Sequence, residues 1–199
     1  MCPRLNIGCG PNNVVPGWLN IDNSPSIIVS KIPVLKRFVC AWPAGVKRVN
    51  ITNGLPFAPN SLDYVYSSHT LEHLEAAKAL FVLRECFRVL RPAGIVRIAL
   101  PDLRRIVKDY LNDSDPLASH RFIERLVVKK TWRDIVHPGK SHEQMYDAAS
   151  LLRWFELAGF TCAAVCNYQE SRIPDIQQIE LAERAHESLY VEAEKAIGR

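Results

Sequence analysis

Apolar residues at Ala76, Ala79, Leu80, Leu83, Cys86, Phe87 and Leu90 recur at steps of three and four, with Lys78, Arg84, Glu85 and Arg88 opposite. That period predicts an amphipathic helix from about Leu71 to Leu90. The segment RPAG that follows ends it, because proline cannot continue a helix and glycine supplies a turn. Elsewhere the apolar residues gather in short runs bounded by Gly, Pro or Asn, which predict strands near 4–8, 18–22, 47–51, 62–67, 94–100, 160–167 and 187–194. A second helix follows Pro101-Asp102, with Asp102 as its N-cap, and a third covers roughly 147–158, capped by Asp147 and ended by Gly159. Strands alternating with helical patterns predict an α/β fold around a parallel sheet. Residues 112–146 are the least regular part, and an insertion of that length over the sheet edge suits a lid or a substrate wall. No repeat, low-complexity tract or Gly/Ser-rich linker divides the chain, so one domain is expected over 1–199.

Composition supports that picture. At 199 residues and 48% hydrophobic content the chain can bury a real core. No window approaches the ~18 uninterrupted apolar residues of a membrane span, and Met1 to Arg4 is too short and polar for a signal peptide. A soluble, cytoplasmic protein is expected. Six cysteines (Cys2, Cys9, Cys40, Cys86, Cys162, Cys166) lack C-x-x-C spacing and paired histidines, so they indicate neither a zinc site nor a disulfide framework and read as free, mostly buried thiols. The net charge of +4 is modest, although Arg121, Arg125, Lys129, Lys130, Arg133 and Lys140 face only Glu124 and Asp134 in their stretch. A solvated basic helix face is the commoner reading there; a wall facing an anionic substrate is the other.

The stretch LNIGCGPNN, residues 5–13, puts Gly8 and Gly10 at the carboxyl end of the first strand, where open α/β sheets bind ligands and where a missing Cβ lets the backbone approach them. Alone, it could be a tight turn. GWLNID then brings Asp22 to the end of the second strand, where a carboxylate can accept both hydroxyls of a ribose. Together the two describe a nucleoside pocket. The dinucleotide fingerprint G-x-G-x-x-G needs a helix after the loop and an acid about 20 residues on. Here Gly10 and Asp22 are only 12 apart, and Pro11 and Pro16 leave room for a single turn. A ligand with ribose and adenine but no phosphate fits better, which describes S-adenosylmethionine.

Five blocks in order, LNIGCGPNNVVPGWLNID, GLPFAPNSLDYVYSSHTLEHL, ECFRVLRPAGIVRIALPDL, MYDAASLLRWFELAGF and ESLYVEAEK, resemble the class I S-adenosylmethionine-dependent methyltransferases over nearly the whole chain. The resemblance is closest to a bacterial, type 11-like branch associated with polysaccharide and cell-envelope gene sets. It implies a Rossmann-like seven-stranded sheet in the order 3-2-1-4-5-7-6 with strand 7 antiparallel and helices on both faces. It also implies that Gly8 and Gly10 hold the methionine end of the cofactor and that Asp22 binds the ribose. Asn50 falls where many relatives place an aspartate for the adenine amino group, and an amide oxygen can still accept there. Asn6 stands where most of the superfamily has an acid facing the cofactor's ammonium, so the lost charge is expected to weaken binding. Ser67 matches a position whose backbone meets the methionine moiety.

Methyl transfer to oxygen or nitrogen is an in-line displacement at an already electrophilic sulfonium, so the protein must align two reactants and, for a hydroxyl, take a proton. SSHTLEHL offers His69, Glu72 and His73 just past strand 4. His69 is favoured as the base, since it precedes the helix and can turn to the pocket, while His73 reads as packed or capping. His142, with Tyr146, resembles a family block that walls the acceptor site; a surface histidine ahead of a helix is the alternative. Tyr64, Tyr66 and Trp132 could stack on a ring or sugar, although aromatic residues on strands are more often core. The leading expectation is methyl transfer to a hydroxyl or amine of a small-molecule or carbohydrate-type acceptor, without a required metal. A non-catalytic S-adenosylmethionine or nucleoside-binding domain and an NAD-dependent oxidoreductase are the alternatives. Nucleic acid is disfavoured as acceptor, because the charge is low and no N/D-P-P-Y/F block follows strand 4.

Overall fold

Seven strands form one sheet: β1 (Arg4–Ile7), β2 (Leu19–Asp22), β3 (Lys47–Arg48), β4 (Leu62–Ser68), β5 (Leu90–Pro101), β6 (Cys162–Cys166) and β7 (Ser188–Glu194). The structure is a computed structural model, and it describes residues 3–34, 36–126 and 142–197. Strand order is β3-β2-β1-β4-β5-β7-β6, with β7 antiparallel to both β5 and β6 and the remaining pairs parallel. This is the Rossmann-like order that the resemblance implies.

The register places Leu5 between Leu19 and Val65, so the central strands are apolar on both faces, as parallel strands covered on two sides must be. On one face, helices α2 (Ala76–Val89) and α5 (Ala148–Ala158) cover Leu5, Val65, Val96 and Ile98 with Val82, Leu83, Leu151 and Phe155. Val15, Trp18, Ile173, Ile176 and Ile179 cover Tyr66 and Ile95 on the other, from turns and single 3-10 turns rather than full-length helices. The short helix α1 (Ser26–Val29) tucks Ile27 against Cys9 and Val46.

Three boundaries differ from the sequence reading, each for a local reason. Helix α2 begins at Ala76, because His69 takes a left-handed φ of 48° and Leu71–His73 close a separate 3-10 turn. β3 stops at Arg48, because the Asn50 side chain accepts the Thr52 N–H and starts another 3-10 turn at Ile51–Asn53. β5 starts at Leu90, so RPAG lies within the strand: the Ala93 N–H donates to Lys195 O, and the Lys195 N–H to Gly94 O. Elsewhere the caps stand where the sequence puts them. Asp102 accepts from the Arg104 and Arg105 N–H groups at the start of α3 (Leu103–Asn112), while Asp147 forms a capping box with Ser150 and Gly159 ends α5 at φ 107°.

Among the described residues of the irregular segment lies α4 (Ala118–Leu126), in which Arg121 pairs with Asp113 and Asp115 and Arg125 with Asp109. Lys129, Lys130, Trp132, Arg133 and Lys140 lie outside the described residues, as does Cys2. The five described cysteines are free, but burial holds only for Cys9 and Cys86, since Cys40 and Cys162 are exposed.

Behind the sheet, Arg97 is 0% exposed. Its guanidinium donates to Glu180 and to the carbonyls of Glu170 and Asn167, and it lies over the Tyr190 ring. This charge is matched by a carboxylate and by directed acceptors, the condition for burying an arginine at all. It pins residues 167–180 to β5 and β7, and so carries the next stretch, Leu181 to Glu187, to the carboxyl end of the sheet.

Candidate active site

Gly8 and Gly10 both have left-handed backbones, at φ 68° and 58°. A Cβ on Gly8 would meet Thr70 Oγ1 at 2.0 Å, whereas one on Gly10 would meet nothing within 4 Å. Gly8 is therefore required by space and conformation, Gly10 by conformation alone. The Gly10 N–H donates to Asp22 Oδ2 at 3.0 Å and the Ser24 N–H to Oδ1 at 2.8 Å. Each carboxylate oxygen has a second lone pair, so Asp22 can brace the loop and still accept from a ligand. Residues 10–18 form turns, and no helix follows the glycines. The helix N-terminus that would cradle a pyrophosphate is missing.

Three adjoining cavities open at this end of the sheet. The first, ≈ 330 Å³, is lined by Gly8, Asp22, Asn50, Thr52 and His73 among others. A second, ≈ 270 Å³, runs along Gly8 to Asn13 and Ser68 to Arg184. The third, ≈ 210 Å³, lies between Pro101, Arg125, His142, Arg184 and Glu187. His69 lines all three. The first is of the size of small-ligand sites, about 300 Å³ and upward.

The other residues singled out in the sequence separate into wall and support. Asn6 is 1% exposed and lines none of these cavities. Its Nδ2 donates to Asn13 O and to Asn20 Oδ1, Asn20 donates to the Val15 and Trp18 carbonyls, and Asn13 to Ile179 O. A neutral amide can be buried in such a network where an acid would need a countercharge, so Asn6 holds the loop from beneath. Ser67 is likewise buried; β4 runs one residue further, and Ser68 supplies the cavity wall. Asn50 lines the first cavity, but its Oδ1 accepts from both the N–H and the hydroxyl of Thr52, so that oxygen is committed to its own turn. Tyr66 is core, set edge-on against Trp18, with Tyr64 packed beside it.

His69 is held at the junction from several sides. Its N–H donates to Ala99 O, Nε2 lies 2.8 Å from Ser188 Oγ on β7, and Nδ1 lies 3.5 Å from Glu72 Oε1. Burial, then the positive charge of Arg184 and the nearby rings of His142 and His73, push its pKa down to about 3. Burial also pushes the Glu72 carboxyl up to about 8. At this spacing the two could form an ion pair, but burial favours the neutral form of each. His142 is half-buried on the third cavity. Burial lowers its pKa, an effect the nearby backbone of Arg125 and Leu126 partly offsets.

Comparison with known proteins agrees with this geometry. The model of the methyltransferase domain family matches residues 5–98, which span the glycine loop, Asp22, Asn50 and His69. Among solved structures it is similar to an S-adenosylmethionine-dependent methyltransferase from Methanosarcina mazei, at 18% identity over 98% of this chain and 93% of that one, with a TM-score of 0.57. One from Archaeoglobus fulgidus gives 16% identity, coverage of 98% and 86%, and a TM-score of 0.54. PigF, solved with S-adenosylhomocysteine, gives 18%, coverage of 97% and 50%, and a TM-score of 0.56. No curated protein matches the chain.

The residues at this end of the sheet fit S-adenosylmethionine as a ligand: a glycine floor, an acid with free lone pairs, and no phosphate cradle. Sequence reasoning did not find Thr70, Ser68, Arg184, Glu187 or Ser188 at this site. Arg184 sits on a single 3-10 turn whose place depends on β7 inserting between β5 and β6, a long-range fact with no local signal. No described helix is long and apolar enough to cross a membrane.

Proposed function

We propose that this protein is an S-adenosylmethionine-dependent methyltransferase that acts on a hydroxyl or amine of a small-molecule or carbohydrate-type acceptor held in the third cavity, with His69 facing both substrates. Bound S-adenosylmethionine supplies an electrophilic methyl group. Gly8, Gly10 and Asp22 would hold it, with Asn50 and Thr52 at the far end of the first cavity. The observation that carries this reading is that His69 alone among the candidate residues lines the cofactor cavity, the loop cavity and the third cavity together. The saccharide preference rests on the sequence resemblance, and the mixed wall of Arg125, His142, Arg184 and Glu187 suits a polyhydroxylated ligand.

A histidine whose pKa lies near 3 is uncharged at neutral pH, with one ring nitrogen unprotonated and able to accept a proton, but it is a weak base. Its role is to orient an acceptor hydroxyl and take the proton as the new bond forms, not to strip it beforehand. Ser188 fixes the ring for that purpose. His142, on the same cavity, is the second residue placed to touch the acceptor.

The test is transfer of labelled methyl groups to a panel of glycosides, simple alcohols and amines by the parent protein, His69→Gln and His142→Gln. His69→Gln should keep its affinity for S-adenosylhomocysteine and lose about 10²-fold or more in turnover, the usual contribution of a positioned base. Turnover at the parent rate in His69→Gln would remove His69 from the chemistry.

A further inference from the structure

Beneath the third cavity lies a group of buried polar atoms that methyl transfer through His69 does not use. Glu72 is 1% exposed, and neither carboxyl oxygen has a hydrogen-bond partner among the described residues. His142 Nδ1 and the Tyr146 hydroxyl are buried and equally without one. Unpartnered buried atoms are rare singly, since each costs about 1–3 kcal/mol. Four atoms on three residues gathered in one place require an occupant.

Ligand atoms of Glu72, His73 and His142 all lie within 4.8 Å of one another. His73 Nε2 is 3.9 Å from Glu72 Oε1, and the His73 and His142 ring centroids are 5.2 Å apart. Bonds of about 2.0–2.2 Å from one centre to imidazole nitrogen and carboxylate oxygen would draw these atoms together by roughly an ångström, a movement side-chain torsions supply. The backbone on which they sit is braced: the Glu72 carbonyl accepts from the Glu143 and Gln144 N–H groups, which ties the 3-10 turn carrying Glu72 and His73 to the segment carrying His142.

We infer that Glu72, His73 and His142 form a binding site for a divalent first-row transition ion, of the two-histidine, one-carboxylate type. That donor set suits Mn²⁺, Fe²⁺, Co²⁺ or Zn²⁺ over Mg²⁺ or Ca²⁺, which prefer all-oxygen sites. Three protein ligands leave coordination positions open, and His142 turns one side of the site toward the third cavity. An ion there would hold an acceptor oxygen beside His69 and acidify it; this role rests on the methyl-transfer reading above, whereas the site itself does not. Neither histidine-rich spacing nor cysteine pairs announce it, because His142 lies far along the chain from Glu72 and His73.

The test uses untagged full-length protein stripped with chelator, with neither cofactor nor acceptor present. Co²⁺ is titrated in while its visible absorption is followed, Zn²⁺ is added as competitor, and His142→Ala and Glu72→Gln are compared with the parent. One equivalent of Co²⁺ with the bands of a nitrogen- and oxygen-ligated ion is expected, displaced by Zn²⁺ and weakened at least tenfold in His142→Ala. His142 is only half-buried, so that variant should keep its far-ultraviolet circular dichroism even if Glu72→Gln unfolds. Absence of saturable Co²⁺ binding, or binding unchanged in a folded His142→Ala, overturns the site and leaves a buried water as the occupant. One-equivalent binding in a protein that methylates no acceptor would keep the site and reject only its role.

Discussion

The Gly10 backbone N–H donates to Asp22 Oδ2 across 3.0 Å, so the acid expected to hold the ribose also closes the loop expected to hold the methionine end. Ser24 occupies the other oxygen in the same way. Replacing Asp22 therefore removes a ligand contact and a loop brace together, while Asn keeps one acceptor oxygen. Asp22→Ala should lose about 10- to 100-fold in affinity for S-adenosylhomocysteine and Asp22→Asn less, on the scale of charge-assisted hydrogen bonds. Isothermal titration calorimetry checks the order, and unchanged affinity in Asp22→Ala would displace Asp22 from the site.

The two loop glycines should respond differently to the same substitution. Gly10→Ala meets open space and costs only the left-handed backbone, about 1–2 kcal/mol. Gly8→Ala adds a Cβ that collides with Thr70, for a further 1–3 kcal/mol or so of overpacking. Adding Thr70→Ala should return part of the loss in Gly8→Ala and none in Gly10→Ala. Urea unfolding of the five proteins decides it, and equal losses at the two glycines would mean that the loop shifts freely away from Thr70.

The sheet and the cofactor loop were legible because both are written locally: apolar runs between breakers, glycines after the first, an acid after the second. Asp22 and His69 fell on cavity walls for that reason. Asn6 and Ser67 did not, because an alignment of motifs gives position along a strand but not which side of it a ligand occupies, and in this chain Asn6 spends its amide on Asn13 and Asn20. Left-handed His69 and the 3-10 turn that buries Glu72 broke a helix the periodicity extended to Leu71. Arg184 and Ser188 reach the site only through the insertion of β7, and no window of sequence contains that contact.

Arg97 and Glu180 form the buried pair that seats the segment preceding Arg184. Glu180→Ala removes the closer of the two carboxylates around Arg97 and leaves only Glu192, 3.5 Å from Nη1, a change that costs up to about 3–5 kcal/mol. A double replacement, Arg97→Met with Glu180→Leu, removes both charges and should cost less than Glu180→Ala alone. Chemical denaturation gives the comparison. A double variant less stable than Glu180→Ala would show that the carbonyls of Asn167 and Glu170, orphaned with the loss of Arg97, outweigh the lost carboxylate.

Asp147 illustrates how a cap read from sequence becomes a pH effect. The backbone N–H of Ser150 lowers its pKa first, then the Ser150 hydroxyl and Arg104, to about 2. An unfolded aspartate titrates near 3.9, so the folded value is the lower one. The stabilisation is then complete above pH 4 or so and is lost as pH falls through about 2. Asp147→Ala should cost about 1 kcal/mol at pH 7, as loss of an N-cap does, and the gap to the parent should close on acidification. Paired thermal melts between pH 7 and pH 2.5 test this. A gap that stays constant over that range would mean the carboxylate charge contributes nothing at the cap, and that the loss comes from the side chain's packing alone.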